Sequence, residues 1–88
     1  MYYVYIVRCR DNTLYTGYAV DIDKRIVKHN SGRGAKYTRG RTPVKLVYFE
    51  EYDNKTDALK REYEIKKLSR KEKVSLISKS TIFNENLK

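Results

Sequence analysis

The chain has no tryptophan, and only one cysteine, one proline and one histidine among its 88 residues. A lone Cys9 excludes an intramolecular disulfide and a thiolate metal cluster, and its apolar surroundings make it a small core residue. No apolar run approaches the roughly 20 residues that cross a bilayer. The first residues lack the charged-then-apolar pattern of a secretory signal, so the expected location is the cytoplasm, with no membrane partner. No repeat or low-complexity segment is visible. Acidic residues are also scarce: 11 Asp and Glu face 20 Lys and Arg, for a net charge of +9. Such a balance bears on partners rather than on fold, and the commonest anionic partner of a small basic domain is nucleic acid. Tyrosine is over-supplied with nine residues, most of which read as packing groups with a polar tip.

The length allows one domain with one modest core. "YYVYIVRC", Tyr2 to Cys9, is β-branched and aromatic on both faces, which predicts a central strand. "RDNT" is turn chemistry, and Leu14 to Ala19 pairs back as a hairpin. Asp21 is a helix cap, Ile22 and Ile26 lie one turn apart, and Gly32 is a stop signal. Gly32 to Pro43 holds three of the four glycines and the only proline, so it reads as a loop. Lys45 to Glu51 is a third strand, and a helix follows from about Asp57 to Leu68. Ser69 and Glu72 have capping-box spacing, opening a last helix to about Ser78. The order β-β-α-β-α-α predicts an α+β domain over residues 1–78, a three-stranded antiparallel sheet flanked by helices. Residues 79–88 read as a polar, frayed tail on which Ile82 and Phe83 are candidates for docking.

Three placements carry chemistry. Arg25 and His29, four apart on the first helix, should emerge at the edge of its buried face. Glu62 falls inside the apolar arc of Ala58, Leu59 and Ile65, where a carboxylate needs a cation, a proton or a metal. An i,i+4 pair with Lys66 is the simplest partner; Lys60, Arg61, Glu64 and Lys67 take mostly outer positions. From Lys24 to Lys45 there are eight Lys or Arg and no acid. Lys24, Lys28, Arg33, Lys36, Arg39 and Arg41 are candidate phosphate contacts, and Tyr37 is a candidate platform for an unpaired base. The glycines among them would let backbone approach a phosphate.

Together these residues resemble the GIY-YIG nuclease superfamily. "YVYI", containing Tyr5, is followed ten residues after Tyr5 by "YTG", Tyr15 to Gly17. Arg25 follows Tyr15 by ten, His29 follows Arg25 by four, and Glu62 lies on a later helix. "GAKYTRGRTPVKLVY" from Gly34 and "ALKREYEIKKLSRKEK" from Ala58 are similar to stretches of the small stand-alone UPF0213 group. Tyr3, Val4 and Thr16 depart from the family's glycine and isoleucines, and an asparagine of some relatives has no clear counterpart. The resemblance implies metal-dependent phosphodiester hydrolysis. Glu62 would hold a single Mg²⁺ or Mn²⁺ and Arg25 would face the scissile phosphate. Tyr15 would be the general base or position the water, and Tyr5 would hydrogen-bond within the network. His29 would orient Tyr15 or share the proton transfer, and Gly17 would give the backbone room. The implied activity is endonucleolytic cleavage of DNA, repair-related and structure- or strand-selective. The alternative is a module that binds DNA or RNA with little cleavage, or one that needs a protein partner.

Overall fold

The structure is a computed structural model that describes residues 1–79. It contains β1 (Tyr2–Arg8), β2 (Leu14–Ala19), α1 (Ile22–Asn30), β3 (Lys45–Tyr52), α2 (Lys55–Lys66) and α3 (Arg70–Ser78). The strands form one antiparallel sheet in the order β2-β1-β3, so the strand that is apolar on both faces is central, as expected. Its alternate side chains serve two separate cores. Val4 and Ile6 pack with Val47, Tyr48 and, from α2, Ala58 and Ile65. Tyr5 and Val7 pack on the other face with Cys9, Ala19 and Val44, against which Ile22 and Ile26 of α1 lie. The expected docking of Ile82 and Phe83 falls outside the described residues. No helix among the described residues is long and apolar enough to cross a membrane.

The local chemistry sets the boundaries. Asn12 has φ 69° in the β1–β2 turn, a conformation that asparagine tolerates. Asp21 caps α1 by accepting from the Lys24 amide, and the Ser69–Glu72 capping box opens α3. The start of α2 is earlier than the sequence predicts: Asn54 Oδ1 accepts from the Asp57 amide at 2.8 Å, so the helix begins at Lys55 within the expected turn. The β1–β3 register slips between Ile6 and Val7. Ile6 pairs with Tyr48 and Val7 with Leu46, leaving Val47 as a bulge and allowing Val47 and Tyr48 to share one core.

Two expectations for α2 are corrected. Leu59 is 40% exposed and lies outside the arc made by the fully buried Ala58 and Ile65. Arg61 is not a solvated outer charge. Its Nε donates to Glu50 Oε1 at 2.9 Å and its Nη2 to Oε2 at 3.1 Å, while Tyr48 and Tyr52 donate hydroxyls to the same carboxylate. Burial alone would push Glu50 up, but the Arg61 fork and the two hydroxyls hold it below the ordinary carboxylate value. This pairing joins β3 to α2 and explains how a mainly polar helix stays docked.

Ile65 is the largest α2 side chain with no exposure. Ile65→Ala should therefore cost about 2–5 kcal/mol in urea unfolding, whereas Val74→Ala at an exposed site should stay within about 0.5 kcal/mol.

Candidate active site

The site is built around Tyr5, at the middle of the central strand. Its cross-strand partner is Gly17, and the register explains the glycine. A Cβ at Gly17 would lie 2.4 Å from Tyr5 Oη and 2.5 Å from Cζ, so the phenol occupies the space that a side chain on β2 would fill. The hydroxyl then reaches α1, where Tyr5 Oη lies 2.8 Å from His29 Nε2. On the far side of the imidazole, Nδ1 lies 2.8 Å from Thr38 Oγ1.

His29 is not at the edge of a buried face, as the helix pattern predicts. It is 1% exposed and is the only buried residue of α1. The reason is the 31–43 segment, which folds back over it. Thr38 is fully buried. A Cβ at Gly34 would sit 2.2 Å from His29 Nδ1 and 2.7 Å from its Cα. What the backbone of this glycine approaches is therefore the imidazole. Gly32 and Gly40 adopt φ of 80° and 77°, a left-handed turn role. Gly34 thus has a packing role, and Gly32 and Gly40 a turn role. Asn30 closes the segment by donating to the Val44 carbonyl at 3.3 Å and accepting from its amide at 2.6 Å.

The other candidates surround this axis. Tyr15, Arg25 and Glu62 all act electrostatically on the Tyr5 phenol. Burial, then Tyr15 and Glu62, raise its pKa against the opposing pull of Arg25, so Tyr5 stays a neutral phenol at any ordinary pH. Tyr15 is half-buried, and its ring meets the His29 ring edge-on at 5.5 Å. The imidazole hydrogen bond goes to Tyr5, whereas Tyr15 receives ring packing. Glu62 is 18% exposed, and its Oε2 lies 3.2 Å from Lys66 Nζ. The i,i+4 partner inferred from spacing is thus present. Among the described residues no three His, Cys, Asp or Glu side chains form a metal-holding group. Glu62 would therefore be a single protein carboxylate ligand. That donor type suits a hard cation that keeps most of its waters, as Mg²⁺ and Mn²⁺ do.

The basic candidates divide. A groove between β2 and α1 is lined by Tyr18, Lys24, Arg25 and Lys28. Arg33, Lys36 and Arg39 are exposed on the loop. Arg41 has partners within the chain at the surface: Nε lies 3.3 Å from Asp11 Oδ2, and the guanidinium lies 4.4 Å from the Tyr37 ring. Tyr37 in turn stacks on Tyr15 at 5.8 Å and 22°. Its ring thus backs Tyr15, while the residue stays 43% exposed. A second groove, floored by Tyr3, Ile22, Leu46 and Phe49, is rimmed by Asp21, Asp23 and Glu51. The two grooves meet at Val20 and Asp21, so the sign of the surface charge changes across the start of α1. Thr38, Gly34 and Asn30 are the site-building residues that pattern reading misses. Thr38 and Gly34 stand in no periodic element, and Asn30 is marked only by its position at the end of α1.

Two outcomes follow from this geometry. Gly17→Ala should displace Tyr5 from His29, costing about 1–3 kcal/mol in chemical unfolding and shifting the imidazole resonances by NMR. The second concerns pH. Burial first, then Arg25 and Lys28, hold His29 below its ordinary value of 6.5. The unfolded chain therefore takes up a proton near that value that the folded chain refuses. This contribution is neutral above 6.5 and lowers stability as pH falls below it. Unfolding at about pH 7.5 and about pH 5.5 should show the loss, and His29→Gln should remove that part of the difference.

Comparison with known proteins bears on the family. The GIY-YIG catalytic domain matches residues 1–75. A UPF0213 protein of Staphylococcus saprophyticus is 65% identical over 77 residues, covering 88% of this chain and 94% of the relative. One of Clostridium perfringens is 59% identical over 86 residues, covering 98% and 92%. The solution NMR structure of a UPF0213 protein from Bacillus halodurans is 49% identical and superimposes with a TM-score of 0.61 over 97% of this chain and 94% of that one. With its two tyrosines, arginine, histidine and glutamate in order on the matching fold, the chain belongs to the GIY-YIG nuclease family, in its UPF0213 group.

Proposed function

We propose that the chain is a divalent-metal-dependent endonuclease that hydrolyses phosphodiester bonds in DNA, with a structure- or strand-selective, repair-related role. The observation that carries this reading is the convergence on Tyr5. The phenol is hydrogen-bonded to His29, whose ring packs against Tyr15, while Arg25 and Glu62, from α1 and α2, bear on it electrostatically.

The work divides by exposure. Arg25, beside the basic groove, receives the phosphate, because a guanidinium fork matches two of its oxygens and stabilises charge that grows in the transition state. Tyr15 is the more accessible of the two phenols and orients the attacking water, or takes its proton. Tyr5 stays neutral and serves as a fixed hydrogen-bonding group behind it. Glu62 would hold Mg²⁺ or Mn²⁺, which when bound offsets the negative charge of the phosphate and of the leaving 3′ oxygen. Lys24 and Lys28 flank Arg25 and contact the backbone without reading bases. Arg33, Lys36 and Arg39 extend the same face. A nucleic-acid-binding module, for DNA or RNA, with little cleavage is the second reading. The observation in its favour is that Lys66 already occupies one oxygen of Glu62.

Labelled single-stranded, duplex, flapped and branched DNA, incubated with Mg²⁺, Mn²⁺ or EDTA, separates the two. The endonuclease predicts metal-dependent cutting that Glu62→Gln abolishes and Arg25→Ala slows by about 10²–10³-fold. Undiminished cutting by Glu62→Gln would sink the metal role. Salt-sensitive binding without cutting would favour the module. Lys24→Gln with Lys28→Gln should also flatten the salt dependence of binding, by a slope of about 0.9 for each phosphate no longer neutralised.

A further inference from the structure

We infer that Thr38 is a positioning residue that sets the tautomer of His29 and, through it, the direction of the Tyr5 hydrogen bond at the reacting phosphate. The inference rests on the endonuclease reading for its catalytic half only. It follows from counting hydrogens. A threonine hydroxyl has one hydrogen, and that of Thr38 is donated to the Ala35 carbonyl at 2.9 Å. Towards His29 the same oxygen can only accept. Nδ1, 2.8 Å away, must therefore carry a hydrogen. A neutral imidazole with hydrogen on Nδ1 has a bare Nε2, which accepts from Tyr5 at 2.8 Å. The neutral form is the one that burial and the nearby cations favour.

The consequence reaches the site. The only hydrogen of Tyr5 is committed inward to His29. Its oxygen keeps lone pairs, so towards the phosphate Tyr5 can accept but not donate. A water, or the Tyr15 hydroxyl, can then give a hydrogen bond to Tyr5 Oη. With the opposite tautomer Nε2–H would donate to Tyr5, the phenol would turn its hydrogen outward, and it would compete for the water's lone pair. The proton step balances in the inferred direction. As Tyr15 takes the water's proton and gives its own to the buried Tyr5 Oη, the phenol's own proton passes to Nε2. The imidazolium so formed is bonded through both nitrogens, and the reverse transfer returns one proton for the leaving 3′ oxygen. Thr38 touches none of the reacting atoms. Its position is held by the turn in which its amide donates to Ala35 and its carbonyl accepts from Arg41, which is tied to Asp11 in the hairpin.

The test is a long-range ¹H–¹⁵N spectrum of the imidazole together with single-turnover cleavage, on wild type, Thr38→Val and Thr38→Ser. Wild type should show hydrogen on Nδ1. Thr38→Val keeps the shape but cannot accept, so it should lose that tautomer and cut about tenfold to a hundredfold more slowly with unchanged DNA affinity. Thr38→Ser should restore both. A wild-type spectrum with hydrogen on Nε2 would overturn the inference, and this arm needs no variant to fold. So would a Thr38→Val protein that keeps the Nδ1 tautomer or cuts at the wild-type rate. If wild type cuts nothing, the endonuclease reading fails and the catalytic half with it. The spectra then still decide whether Thr38 sets the tautomer.

Discussion

One buried hydrogen bond organises this molecule: Tyr5 on the central strand to His29 on α1. It joins residues 24 apart in sequence and crosses from the sheet to the helix in a place with almost no solvent access. An unsatisfied phenol or imidazole there would cost about 1–3 kcal/mol each, so the surroundings are shaped to keep both ends satisfied. Gly17 vacates the space for the phenol, Gly34 lets the backbone close over the ring, and Thr38 takes the remaining nitrogen. The 31–43 segment is therefore a support for the site. Its Tyr37 backs Tyr15, and its Arg41 ties Tyr37 to the hairpin turn through Asp11.

The electrostatic plan follows from that interior. The two innermost groups, Tyr5 and His29, are both held neutral by burial. Charge is confined to the rim, where Arg25, Lys24 and Lys28 face one groove and Asp21, Asp23 and Glu51 face the other. A net charge of +9 is thus not spread evenly. On the opposite face of the sheet, Glu50 and Arg61 pair to fasten α2 to β3.

Much of this was legible in the sequence, for identifiable reasons. The elements follow from local rules: the two-faced apolar strand, the Asp21 cap and the Ser69 capping box are encoded within a few residues of where they act. The motif residues Tyr5, Tyr15, Arg25, His29 and Glu62 were readable by order and spacing, and the Glu62–Lys66 pair by helical periodicity. What was hidden depends on tertiary closure. A helical wheel places His29 at an edge because it cannot know that a loop will cover it. Composition cannot show that Gly34 faces an imidazole or that Tyr37 stacks on Tyr15. Arg61 looks solvated until β3 brings Glu50 beside it.

The proposed phosphate site draws its side chains from four elements. The most direct test is a crystal structure of the wild-type protein with Mn²⁺ and a non-hydrolysable phosphorothioate oligonucleotide. The expected result is an anomalous Mn²⁺ peak in coordination contact with Glu62, a phosphate on Arg25, and the Tyr5–His29 bond intact behind them. A phosphate bound away from Arg25, or Mn²⁺ bound away from Glu62 while Lys66 keeps the carboxylate, would contradict it.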